Sequence, residues 1–301
     1  SSNIFLVLLL QTKPNMPTDC ISYQNSGYFS SLINDYLDRK SSLNSLYNRF
    51  PTMENFEGQI AEKEGNYNHD NRKLLVSVLQ KQYQNIKISK ATQNNILALG
   101  QSNTFTITTG HQLNLFSGPL YFLYKIISTI NLASELKAKY PQSNFVPVYW
   151  MATEDHDFEE INYFNFKGKK FRWNKDNSGP VGRLSTEGLD AVFEVFALEL
   201  GSSTNAQKIK ELFQKSYLEH SNLADATRYL ANELFSDYGL VILDADDADF
   251  DGVLAHGVQQ KKSVVGSGQR RFHRLENLSV GLAVAGGSTH AFRDRKSTRL
   301  N

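Results

Sequence analysis

The sequence predicts an α/β chain, with a parallel sheet core, a helical N-terminal segment and inserted helices. Three observations carry the prediction. "TFTITTG", Thr104 to Gly110, is rich in β-branched residues and closes on glycine, as a strand does. "FVPVYWMA" is a near-continuous apolar run, the kind buried on both faces of a parallel sheet. Between them lies a helix-patterned stretch, so strand, turn, helix and strand form a βαβ unit of roughly forty-five residues with a right-handed crossover.

In chain order, residues 17–70 read as helical. Phe29, Leu32, Ile33, Tyr36 and Leu37 follow the i, i+3, i+4, i+7, i+8 spacing of one helical face, and Pro51 ends the pattern. "NRKLLVSVLQKQYQNI" repeats it with Leu74, Leu75, Val78, Leu79 and Ile86. Both stripes are expected to pack into a core. After the first strand, Ser117 is the expected N-cap of the crossover helix, with Pro119 in its first turn and a stripe of Leu120, Leu123, Ile127, Ile130 and Leu136. A hairpin is expected over "NYFNFKGKKFRWN", and helices near 187–200 and 205–219. Last, "NLADATRYLANELFSDYGLVILDADD" reads as a helix closing on Gly239, a buried strand Leu240 to Leu243 and an acidic turn. No repeat or low-complexity linker interrupts this order.

Composition bounds the function. Hydrophobic residues make up 40% and charged residues 21%, ordinary for a globular protein. The net charge of +1 hides an asymmetry: 252–301 holds nine Lys/Arg against two Asp/Glu, which leaves 23 basic and 29 acidic residues in 1–251. That mildly acidic body gives no electrostatic reason to expect nucleic acid. The single cysteine, Cys20, excludes an internal disulfide and fits a reducing cytoplasm. No run of about twenty apolar residues predicts a membrane span. "SSNIFLVLLLQ" lacks a basic leader region, so Met16 reads as the natural start and 1–15 as upstream sequence. Periodicity fades after Asp251, and 252–301 reads as an out-of-frame or adaptor-derived tail, leaving 16–251 as an incomplete core.

Ligands of open parallel sheets bind beyond the carboxyl ends of the strands, and two polar loops sit there. In the first, "TTGHQLNLFSGPLYFLYK", Gly110 lets the backbone turn and approach a ligand, and His111 and Gln112 add hydrogen bonds. Free N–H groups from Gly118 onward suit a carboxylate or phosphate. Lys125 lies roughly two helical turns further on. In the second, "VPVYWMATEDHDFEEIN", Glu154, Asp155, His156 and Asp157 combine a general base, an imidazole and an orienting carboxylate. The same four residues also suit a divalent metal, or are a charged turn in which Glu154 or Asp155 caps the next helix. Trp150 belongs to the core or lines the crevice; Asp244, Asp246 and Asp247 are a third strand-end contribution or a polar turn. His69 and His220 read as solvated. Neither GxGxxG nor GxxxxGK[ST] is present.

These two loops together resemble the bacillithiol-biosynthesis cysteine-ligase family BshC. The signature runs Thr-Gly-His-Gln over Thr109–Gln112, Gly-Pro-Leu-Tyr over Gly118–Tyr121, Lys125 on the helix, then Glu-Asp-His-Asp over Glu154–Asp157. "YGLVILDADD" and "MPTDCISYQNSGYFSSLINDY" extend the resemblance to roughly 16–251. It implies a Rossmann-like core with inserted helical peptides, and a dimerising C-terminal coiled coil that is absent here. It implies ligation of cysteine to the amine of glucosaminyl-malate in the cytoplasm, with His111, Asp155 and His156 as catalytic candidates. Thr109, Gly110, Gln112, Gly118, Tyr121, Lys125, Trp150, Glu154 and Asp157 become the substrate-binding candidates, with no metal. The core is also similar to nucleotidyl-transferring synthetases marked by His-x-Gly-His, which makes ATP or ADP the cofactor suggested. Here Thr108 replaces the first histidine. Small molecules are then the expected partners, without nucleic acid or membrane, in a homodimer for the intact family. Two other readings stay open: a metal-dependent hydrolase built on the acidic cluster, and a non-catalytic binding module whose basic tail meets an acidic partner.

Overall fold

The computed structural model describes residues 21–66, 69–244, 246–247 and 281–283. The expected extension 1–15 and nearly all of the expected tail 252–301, with Cys20, lie outside them. The chain divides between Thr52 and Met53 into two compact units.

In the first unit, Ser22 caps a single helical turn, Tyr23–Ser26, which Gly27 ends in the left-handed region at φ 70°. Helix α1 (Ser31–Leu37) starts at Ser30, whose side chain accepts from the Ile33 amide. It buries no residue, and Phe29 falls outside it, so the expected core-packing stripe is not realised here. Tyr36 instead packs with Tyr47 and Phe50 at 5.2 and 5.1 Å, and the Arg39 guanidinium lies 4.5 Å above the Phe50 ring.

The second unit opens with helices α2 (Asn55–Asn66), α3 (His69–Gln82) and α4 (Lys90–Ala98). Leu75, Val78 and Leu79 of α3 are buried as the periodicity predicts. Strand β1 (Thr104–His111), helix α5 (Tyr121–Lys139) and strand β2 (Asn144–Met151) form the expected βαβ unit. The hairpin is β3 (Tyr163–Phe166) and β4 (Lys169–Arg172), turning through Gly168 at φ 76°. Short helix α6 (Phe158–Ile161) precedes it. Helices α7 (Leu189–Leu200) and α8 (Thr204–Phe213) follow, then a π-helical turn Gln214–Leu218, α9 (Leu223–Phe235) and β5 (Val241–Asp244). A fourth strand, β6 (Gly281–Ala283), which the sequence did not suggest, pairs with β1.

All four sheet strands are parallel, in spatial order β5-β2-β1-β6. Numbered among themselves along the chain, they run 3-2-1-4, the first four places of the Rossmann order, and the order reverses at β1. Phe105 and Ile107 of β1 and Phe145 of β2 join Ala133 and Leu136 of α5 and Phe56 and Ile60 of α2 in one buried cluster. At about 25 cal/mol per Å² of apolar surface, such burial is what drives helices onto the sheet. The buried face of α5 is Phe122, Ile126, Thr129, Ala133 and Leu136. That corrects the expected stripe, which shares only Leu136 with it: Leu120 is 60% exposed and precedes the helix.

Candidate functional site

Register places the ends of three strands side by side: His111 pairs with Met151, and Met151 with Asp244. The loops that follow, 112–120 and 152–157, and the start of the acidic turn therefore open at one edge of the sheet, beside the point where strand order reverses.

Gln112 ties the first two loops together. Its amide nitrogen donates to Asp155 Oδ2 at 2.8 Å and to Glu160 Oε2 at 3.1 Å, and Asn114 Nδ2 donates to the Glu160 carbonyl at 3.3 Å. The other Asp155 oxygen accepts from the backbone amides of His156 (2.7 Å) and Asp157 (3.2 Å). Asp155 thus closes the turn ahead of α6 and crosslinks the two loops, but it does not cap the helix as expected: Asp157 holds the N-cap position, without a side-chain cap. His156 and Asp157 are exposed, and Glu154 is partly buried with partners of its own.

Thr153 and Asp244 form the second crosslink. The Thr153 hydroxyl donates to Asp244 Oδ1, and the Asp246 amide donates to both oxygens at 3.0 Å. Asp244 Oδ2 lies 3.6 Å from the Arg228 guanidinium, which is 3% exposed on α9. Gln82 of α3 completes the network: it donates to the Asp244 carbonyl (3.2 Å) and Asp247 (3.0 Å), and accepts from the Asp244 amide (3.0 Å) and from Arg228 (3.3 Å). Arg183 binds both Asp246 oxygens, at 2.6 and 3.0 Å. Asp244 and its neighbours thus form a polar network at the end of the third strand. Thr153, Arg228, Gln82 and Arg183 are residues that sequence reasoning missed.

Pleating separates Gly110 from His111, because successive strand residues face opposite ways. His111 lies under α5, its ring 5.3 Å from both Tyr121 and Phe122. Its Nδ1 sits 3.0 Å from the Gln112 carbonyl and so carries the proton, while Nε2 is buried without a partner. Desolvation pulls its pKa down to about 4; the Gln112 carbonyl opposes this in part, and the nearby Lys125 charge adds a smaller lowering. His111 is a fixed, neutral ring at neutral pH. Lys125 donates to the Gly110 carbonyl and lies 5.1 Å from the Tyr121 ring; burial lowers its pKa to about 8.

Three expectations change. Gly110 lies within β1 with no left-handed φ, and an added Cβ would meet only the Trp150 carbonyl, at 4.0 Å. The fold does not need glycine there, and the turn comes later. That turn is at Phe116, Ser117 and Gly118, with φ of 47°, 65° and 52°. Gly118 is required by backbone geometry, since a Cβ would sit 2.4 Å from Asn114 Cβ, and its N–H is already spent on the Leu115 carbonyl at 2.9 Å. Ser117 is not the N-cap; Leu120 holds that position, without a side-chain cap. Thr109 and Trp150 are buried in β1 and β2, and Tyr121 is 40% exposed at the start of α5.

Among the described residues, no group of three or more His, Cys, Asp or Glu is arranged to hold a metal ion. The nucleotide cradle of His-x-Gly-His synthetases is not reproduced either: the Thr108 hydroxyl is turned to Thr106 at 3.3 Å, and His111 Nε2 is closed off. No described helix is long and apolar enough to cross a membrane.

Comparison with known proteins adds a family to this geometry. Residues 16–300 match the model of the bacillithiol biosynthesis BshC N-terminal Rossmann-like domain. The chain is 74% identical over 234 residues to a Flavobacterium johnsoniae protein named "Putative cysteine ligase BshC", covering 78% of this chain and 44% of the relative. Relatives of the same name from Flavobacterium psychrophilum and Christiangramia forsetii are 68% and 60% identical, each over 77% of this chain and 44% of their own length. The chain thus spans less than half the length of the curated relatives it matches.

Proposed function

The chain belongs to the bacillithiol biosynthesis BshC family, and from that premise we propose that its strand-end loops serve a C–N ligation, joining the carboxyl of cysteine to the amine of glucosaminyl-malate. The observation that carries this reading is the Gln112 bridge, which brings the Gly-His-Gln and Glu-Asp-His-Asp loops to one edge of the sheet. Amide formation makes one C–N bond, breaks the C–O bond of the activated cysteine carboxyl, whose oxygen leaves on the activating group, and releases a proton from the amine. His156, exposed and carried on a backbone pinned by Asp155, is the group we assign to take that proton. Asp155 positions and Gln112 orients. Gly110 is where we assign the close approach of substrate to the backbone, since a Cβ there would meet only the Trp150 carbonyl, at 4.0 Å.

The test is direct. The protein is incubated with cysteine and glucosaminyl-malate, with and without ATP, and the amide product is followed by mass spectrometry. Product is expected from the wild type, falling roughly 10²-fold or more in His156→Ala, the size of a lost general base. Undiminished product from both His156→Ala and Asp155→Ala would overturn the assignment.

A further inference from the structure

We infer that Tyr217, outside both strand-end loops and 101 residues from its partner, is a positioning residue for the first loop. Three local irregularities converge on it. Phe116 and Ser117 both adopt left-handed backbone, a strained conformation for a non-glycine residue. Tyr217 is fully buried in the π-helical turn Gln214–Leu218, a geometry that re-aims one side chain out of an otherwise α-helical path. The two meet at one hydrogen bond, from the Phe116 amide to Tyr217 Oη at 2.9 Å. The Phe116 ring is held at the same place by Phe164, Phe196 and Phe213, at 5.7, 5.4 and 5.0 Å, from β3, α7 and α8. The segment inserted between β2 and α9 therefore clamps the loop that carries Gln112 and leads into Lys125. Strained backbone persists only where its surroundings over-determine it, and here the hydroxyl and the ring pocket do so. The catalytic consequence rests on the ligation-site reading above; the clamp itself does not.

Tyr217→Phe keeps the ring and deletes the acceptor. Phe171→Leu is the control: Phe171 stacks on Phe164 and meets Phe196 edge-to-face in the same aromatic cluster without bonding the Phe116 backbone. Amide hydrogen exchange is read over 113–118, beside thermal melting and the kcat and KM of amide formation. For Tyr217→Phe we expect exchange over 113–118 to quicken roughly five- to tenfold, the size of one lost hydrogen bond. Melting should move little, and kcat should fall more than KM rises. Phe171→Leu should lower the melting temperature and leave kcat in place. Unchanged exchange in Tyr217→Phe, or equal quickening over 113–118 in Phe171→Leu, overturns the clamp. Quickened exchange with unchanged kcat supports the clamp and overturns the ligation site instead.

Discussion

Asp244→Ala removes the carboxylate that holds Thr153, the Asp246 amide and Arg228 at once. The largest part of the loss is Arg228. At 3% exposure it cannot recover its solvation, and it keeps Gln82 and the Ile242 carbonyl at 3.3 Å and the Tyr83 ring at 5.5 Å, none of which carries a countercharge. Orphaning one member of a buried ion pair costs about 3–5 kcal/mol. Asp244 itself retains 19% exposure, which places the expectation at the low end, about 3 kcal/mol. In a unit of this size, that lowers the melting temperature by about 6–12 °C. The assay is thermal and urea unfolding of wild type, Asp244→Ala and the double variant Asp244→Ala/Arg228→Met. Replacing both members with apolar groups removes the uncompensated charge, so the double variant should recover at least half of the loss. A single-variant cost below about 1 kcal/mol, or a double variant no better than the single, would refute the reasoning.

Gly118→Ala should cost about 2–3 kcal/mol in unfolding experiments, since alanine must adopt φ 52° with its Cβ pressed on Asn114. Gly110→Ala should melt within about 0.5 kcal/mol of wild type, because only the Trp150 carbonyl stands nearby. Its KM for glucosaminyl-malate should nonetheless rise about tenfold, measured by steady-state kinetics, if substrate uses that space. His111 binds protons more weakly folded, at about 4, than unfolded, at 6.5. Its contribution to stability is present above pH 6.5 and is lost as pH falls through 4, on the order of 3 kcal/mol in total. In urea titrations across that window, His111→Phe should flatten the wild-type slope; parallel slopes would contradict it.

Strands β1 to β5 and most helices were legible because their signals are local: β-branched and apolar runs for β1, β2 and β5, and a turn at Gly168 for the hairpin. The buried face of α5 was misread because apolar residues run along two adjacent stripes, Phe122–Ile126 and Leu123–Ile127, and periodicity alone does not say which meets the sheet. The N-terminal stripe fell short of a core helix because Gly27 and Arg39 take left-handed backbone on either side of seven helical residues. Both loops of the candidate site could be named from their sequence, and their meeting followed from strand order. The network behind them could not. Gln82 bonds Asp244 across 162 residues and Arg228 across 146, and Tyr217 reaches Phe116 across 101. No window of sequence shows such pairs. The surroundings of His111 were hidden for a different reason: which face a strand-end residue takes, here the one under α5, depends on pleat parity, which a motif does not encode.

The most direct test of the central claim is where substrate protects the backbone. Hydrogen exchange is measured on the protein with and without saturating glucosaminyl-malate, peptide by peptide. Protection is expected to concentrate in 110–121 and 152–160, the two loops that Gln112 joins, with both losing it in Gln112→Ala. Protection elsewhere in the chain, with these two loops unchanged, would contradict it.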